Sequence, residues 1–183
     1  MFTEEIDSTQ KCYVLWIEGN ESIKVHQTSV AVSKLLSEKG FVFCSANTSG
    51  GGDDVYHTGT KSYSVKYNDF SSFENNFFSD YDDAVSKEYA ETGGWVSFLE
   101  YREISVYLKK TDVRIWVMIS EDKRALIRVY EFDDSFDVNS LVDEVKALLP
   151  NPVTVEEIPQ YVDETSEMIE KHFLHFWENE NTK

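Results

Sequence analysis

Positive charge is what this chain holds least of. Among 183 residues, 17 Lys and Arg stand against 34 Asp and Glu, a formal net charge of −17. That balance excludes an unassisted nucleic-acid binder, a class that presents excess Lys and Arg to phosphates. It also excludes docking on anionic membrane surfaces. Cysteine is nearly absent. Cys12 and Cys44 each sit inside an apolar segment, where a free thiol behaves as a small hydrophobe, so no disulfide framework is expected. Long apolar runs are missing too: the longest drawn only from aliphatic, Phe, Trp and Met residues is Ile115–Ile119, far short of a membrane span. Met1–Ser8 carries Glu4, Glu5 and Asp7 where a secretory leader carries positive charge and then an apolar stretch. The expected location is the cytoplasm, or the host cytoplasm if the protein is phage-encoded.

What is present points to a folded domain. Hydrophobic residues make up 41% and aromatics 14%, too much apolar material for a disordered acidic tail. A chain of this length buries roughly 70% of its unfolded surface and needs no metal or disulfide to fold. No internal repeat appears, nor any linker long enough to separate domains. The expectation for 1–183 is a single α+β domain, mostly antiparallel sheet, with helices packed on it and a long acidic C-terminal helix.

Within it, 1–68 reads as a βαβ-like start with a Gly-rich loop. Lys11–Glu18 and Phe41–Ala46 are β-branched or aromatic strands. Between them Val32, Leu35 and Leu36 recur at helical spacing over Ser29–Lys39, and Gly40 supplies the stop. Ile23–His26 is an alternative extra strand. Asn47–Thr60, with three consecutive glycines, reads as a loop. Tyr63, Val65 and Tyr67 alternate as in a strand. An acidic helical insert follows over 69–91: Phe70, Phe73 and Phe77 suggest a short helix, and Tyr81, Val85 and Tyr89 a second over Asp80–Glu91.

The sheet core is expected over 95–132, from one long strand over Trp95–Lys109, or two broken near Arg102, and a hairpin of Val113–Ser120 and Ala125–Phe132. On that hairpin Val113, Ile115, Val117 and Ile119 share one face, while Arg114, Trp116 and Met118 share the other. The remainder, 138–179, is an acidic helical C-terminal part. Its first helix (Val138–Leu149) buries Leu141, Val142, Val145, Leu148 and Leu149 and is stopped by Pro150. An extended Val153–Ile158 precedes a last helix over Gln160–Asn179.

The negative charge is concentrated. Residues 69–91 hold seven acids and one base, and residues 131–183 hold fourteen acids and three bases. On a helical wheel of the last segment Tyr161, Val162, Ile169, His172, Phe173 and Phe176 share one arc. Asp163, Glu164, Glu167, Glu170 and Glu178 occupy the opposite arc. Like charges at i, i+3 and i, i+4 each cost about 0.2–0.5 kcal/mol in such a helix. Carboxylates at i, i+4 and i+7 advance about 1.5 Å per residue, the same order as the phosphate spacing along one DNA strand. The bland alternative is a solvated acidic face.

Strings with a chemical look each have a simpler explanation. Asp133-Asp134-Ser135-Phe136-Asp137 spells the D-D-x-x-D with which terpenoid synthases hold magnesium, but those place it in a large all-helical fold. Here Asp137 or Asn139 is expected to cap the next helix. His172 and His175 form H-x-x-H with Glu178 beyond, and no third ligand is specified. Gly50-Gly51-Gly52 with Asp53, Asp54 and His57 lacks the Lys-[Ser/Thr] of a P-loop, and its carboxylates repel phosphate. His26-Gln27-Thr28 matches one H-x-T of the pair found in 2H phosphoesterases, and the second copy is missing. Nothing orients Cys44 and His57 as nucleophile and base.

The expected function is therefore that of a non-enzymatic acidic inhibitor or decoy, with no cofactor and no metal. Its partner is a basic protein, a nuclease or nucleic-acid-binding effector, with no direct contact to nucleic acid or membrane. Phage anti-restriction and anti-CRISPR proteins and bacterial toxin-immunity proteins act in this way, an analogy of charge and size. The candidate partner-binding residues are Asp80, Asp82, Asp83, Asp133, Asp134, Asp163, Glu164, Glu167, Glu170 and Glu178. The alternatives are an accessory interaction domain without catalysis, and a small phosphate- or metal-dependent hydrolase using His26, His57 or the Asp133 cluster.

Overall fold

The structure, a computed structural model, describes residues 11–21, 23–53, 60–77, 101–111, 113–120, 123–130 and 136–158. In chain order the elements are β1 (Lys11–Ile17), α1 (Val25–Glu38), β2 (Val42–Asp53), β3 (Thr60–Tyr67), a helix α2 over 70–77, β4 (Tyr101–Lys110), β5 (Val113–Ser120), β6 (Arg124–Tyr130), α3 (Val138–Lys146) and β7 (Val153–Ile158). The strands form one sheet in the order β3-β2-β4-β5-β6-β1-β7, and every neighbouring pair is antiparallel. The architecture is α+β. The helices expected over Asp80–Glu91 and Gln160–Asn179 lie outside the described residues. No helix among those described is long and apolar enough to cross a membrane.

Alternation along the strands decides which face the helices cover. On β5, Ile115, Val117 and Ile119 are fully buried in the main core, joined by Ile104, Val106 and Leu108 of β4 and by Ala125, Ile127 and Val129 of β6. Val32 and Leu36 of α1, Phe73 and Phe77 of α2, and Leu141, Val142 and Val145 of α3 pack into the same core. All three helices thus lie on one face of the sheet. At roughly 25 cal/mol per Å², burying each of the Val, Leu, Ile and Phe side chains contributes about 1.5–3 kcal/mol.

Local chemistry fixes the ends of the helices. Gly40 takes φ +89°, a left-handed conformation open to glycine at little cost. There the Gly40 N–H donates to the Ser37 carbonyl and the Phe41 N–H to the Leu36 carbonyl, the two bonds of a Schellman stop. Buried Phe41 and Leu36 supply its hydrophobic contact. The buried hydroxyls of Ser29 and Ser33 donate to the carbonyls of Val25 and Ser29, 2.8 and 2.9 Å away. Their needs are met inside α1, which lets a small-residue face lie against the sheet. Asp69 accepts the Ser72 N–H (2.9 Å) and hydroxyl (2.8 Å) at the start of α2, and Asp137 accepts the Ser140 N–H (3.0 Å) at the start of α3. Of the two residues expected to cap α3, Asp137 does so.

The structure corrects two sequence readings. Asn47–Asp53 is strand: Gly50 pairs with Tyr63 on one side and Arg102 on the other, inside β2. Composition argued for a loop, but two flanking ladders satisfy the glycine backbone whatever its propensity. Val25 and His26 form the first turn of α1, so the alternative of an extra strand there falls. The βαβ-like start is also more open than a local unit. β1 and β2 run in the same direction, but β6, β5 and β4 lie between them. The helix α3 ends at Lys146 with a cap at Ala147, which leaves Leu148 partly exposed (38%).

Candidate functional site: the second face of the sheet

The ten candidate carboxylates (Asp80, Asp82, Asp83, Asp133, Asp134, Asp163, Glu164, Glu167, Glu170 and Glu178) lie outside the described residues, as do Asp54, His57, His172 and His175. Of the remaining strings, His26 serves to join helices. Its Nε2 lies 2.9 Å from the Phe73 carbonyl oxygen. Its ring stacks on Phe77 at 4.2 Å and meets Phe73 edge-on at 5.2 Å. The partly exposed Cys44 thiol lies 3.6 Å from the Val42 carbonyl of its own strand. Among the described residues no three His, Cys, Asp or Glu side chains gather as metal ligands. A cavity of about 400 Å³ lies beside the start of α1 and the α3–β7 connection, lined by Glu21, Lys24, Gln27, Thr28, Leu148 and Leu149 among others. The exposed Glu21 and Lys24 offset each other's charge there.

The sheet surface away from the helices is more distinctive. The residues between the core positions of β5 and β6 face that way: Arg114, Trp116 and Met118, and Arg124, Leu126 and Arg128. Trp116 pairs directly with Arg128, whose guanidinium lies 5.5 Å from the indole centroid, within cation–π range. Lys109 of β4 pairs directly with Arg114, so two like charges face one another, an arrangement that costs stability unless negative charge is near. Around β1 the surface turns apolar, while Thr154 and Glu156 of β7 remain exposed beside it. Cys12, Val14 and Trp16 of β1, Met118, Leu126 and Ile158 form a second hydrophobic cluster with Trp116 beside it. Each of those six is under 9% exposed.

The described residues carry 14 of the 17 bases but only 12 of the 34 acids; the other 22 acids and three bases lie outside them. All four arginines of the sequence, at 102, 114, 124 and 128, fall on β4–β6. Sequence reasoning singled out the acids and passed over these arginines, because they balanced the acids nearby in the count. The signal was their spacing: 114 shares a parity with Trp116 and Met118, and 124 and 128 with Leu126.

On the helix side, Lys34 of α1 pairs with Glu74 of α2, and Lys39 pairs with Glu144 of α3. Both pairs are partly exposed and each contributes about 0–1 kcal/mol. No protein-family model and no curated protein matches this sequence.

Proposed function

We propose that the protein is a non-catalytic acidic binding protein that engages a basic nucleic-acid-handling protein, a nuclease or effector, and blocks it. The observation that carries this reading is the clustering of acids along the sequence: seven acids and one base over 69–91, and fourteen acids and three bases over 131–183. A protein that needed charge for solubility alone would do as well with acids scattered evenly along its sequence. Acids clustered along the chain strengthen the field that a basic partner meets, which raises the association rate about 10–10³-fold and weakens with salt. The residues assigned to the contact are Asp80, Asp82, Asp83, Asp133, Asp134, Asp163, Glu164, Glu167, Glu170 and Glu178.

The test begins with capture of a basic partner on the immobilised protein over a rising salt series, followed by an assay of that partner's nucleic-acid-processing activity. The protein is expected to inhibit that activity, and the D163K/E167K/E170K variant to lose inhibition while keeping the circular dichroism of the parent. Full inhibition by the triple variant removes the C-terminal acids from the site. Absence of any salt-released partner favours an accessory domain instead.

A further inference from the structure

The apolar cluster on the second face is buried, yet α1, α2 and α3 all pack on the other face. Cys12, Val14, Leu126 and Ile158 retain 3% exposure or less, values typical of a core and not of an open sheet surface. The patch spans β7, β1, β6 and β5, four neighbouring strands. At about 4.8 Å per strand that is roughly 14 Å across, a width that a single helix about 10 Å thick dresses. The described chain leaves the sheet at Ile158, inside this patch and at its edge, with residues 159–183 still to follow. That stretch holds six acids and two bases, opposite in sign to Lys109, Arg114 and Arg128, which share this face with the single carboxylate of Glu156 beside the patch. Its apolar positions Tyr161, Val162, Ile169, Phe173 and Phe176 fall on one helical arc.

We propose that the occupant of the second face is the chain's own segment 159–183, seated by this apolar arc. Tethering to β7 gives it an effective concentration in the millimolar range, so a short apolar contact suffices where a free peptide would not stay bound. Seated in this way, the opposite arc of Asp163, Glu164, Glu167, Glu170 and Glu178 faces outward, on the side of the sheet away from α1–α3. The seating holds whether or not the acids meet an external partner, so failure of the inhibitor reading leaves it intact.

The test uses the full chain with Cys44→Ser, which leaves Cys12 as the only thiol. Cys12 is fully buried in the patch and is expected to react slowly with a maleimide. Adding I169D and F173D is expected to raise its rate at least tenfold with the secondary structure retained, whereas adding W95D and F98D leaves it unchanged. An unchanged rate in the first variant, or a rise only in the second, overturns the proposal. Should the substitutions unfold the chain, the unsubstituted protein labelled at the Met118, Leu126 and Val14 methyls decides the matter. Nuclear Overhauser contacts to the Phe173 and Phe176 rings uphold the proposal. Contacts to residues 78–100 in their place, contacts that appear only at high protein concentration, or none at all overturn it.

Discussion

Tyr13 offers the sharpest check on how the core is balanced. It lies on β1 between Ile127 of β6 and Glu157 of β7, is 4% exposed, and its buried hydroxyl has no hydrogen-bond partner among the described residues. A hydroxyl taken from water without a replacement bond costs about 1–3 kcal/mol. Tyr13→Phe keeps the ring and removes that penalty, at the expense of a void smaller than a methyl group. The expected result is a gain of about 1 kcal/mol, or an increase in Tm of roughly 2–4 °C for a chain of this size. The alkaline limb gives a second reading. Burial first, and then the Glu157 carboxylate, hold the phenol above its ordinary pKa. The unfolded chain therefore loses this proton first, above about pH 10. Stability that Tyr13 contributes below that pH is lost as pH rises through the folded value. Thermal melts from pH 8 to 11 should show a shallower alkaline decline in Tyr13→Phe than in the parent. A fall in Tm of several degrees at pH 7, with parallel alkaline slopes, would refute the reasoning and mean that the hydroxyl is satisfied.

Other perturbations follow from the same structure. Asp69 is held below the ordinary carboxylate pKa by the Ser72 backbone N–H and then by its hydroxyl, so its support for α2 is present above that ordinary value and lost as pH falls through the lower folded one. In melts from pH 2 to 6, Asp69→Ala should flatten that acid limb. Gly40→Ala forces a Cβ into a left-handed turn and should cost about 1–2 kcal/mol in denaturant unfolding. Phe73→Ala removes a fully buried ring that touches His26, Phe43, Tyr67 and Phe77. It should cost about 3–5 kcal/mol by the same assay.

Where periodicity is strong, the sequence is a good guide. The alternation over Val113–Ser120 predicts which residues enter the core, and Ile115, Val117 and Ile119 do so, with Trp116 and Met118 opposite. Phe70, Phe73 and Phe77 mark a helix, and Gly40 ends one. Pairing partners are not written in any local window. Gly50–Gly52 reads as loop until β3 and β4 are known to flank it. The separation of β1 from β2 by three later strands has no local signature. At the candidate site, counting charge along the chain locates the acids, while the arginines on the far side of β5 and β6 emerge only once strand parity is imposed on the count.

The position of β1 in the sheet has a consequence for how the chain reaches its fold. Its two neighbours are β6 and β7, so Lys11–Ile17, one of the most apolar stretches, has no strand to pair with until Arg124 and then Val153 have been made. During synthesis it remains an unpaired, sticky edge, the kind of surface that aggregates or recruits a chaperone. The large sequence separation also places closure of the sheet late and makes folding slow for the chain's size. A strand more than 130 residues further along the chain is thus needed to secure β1 on its second side.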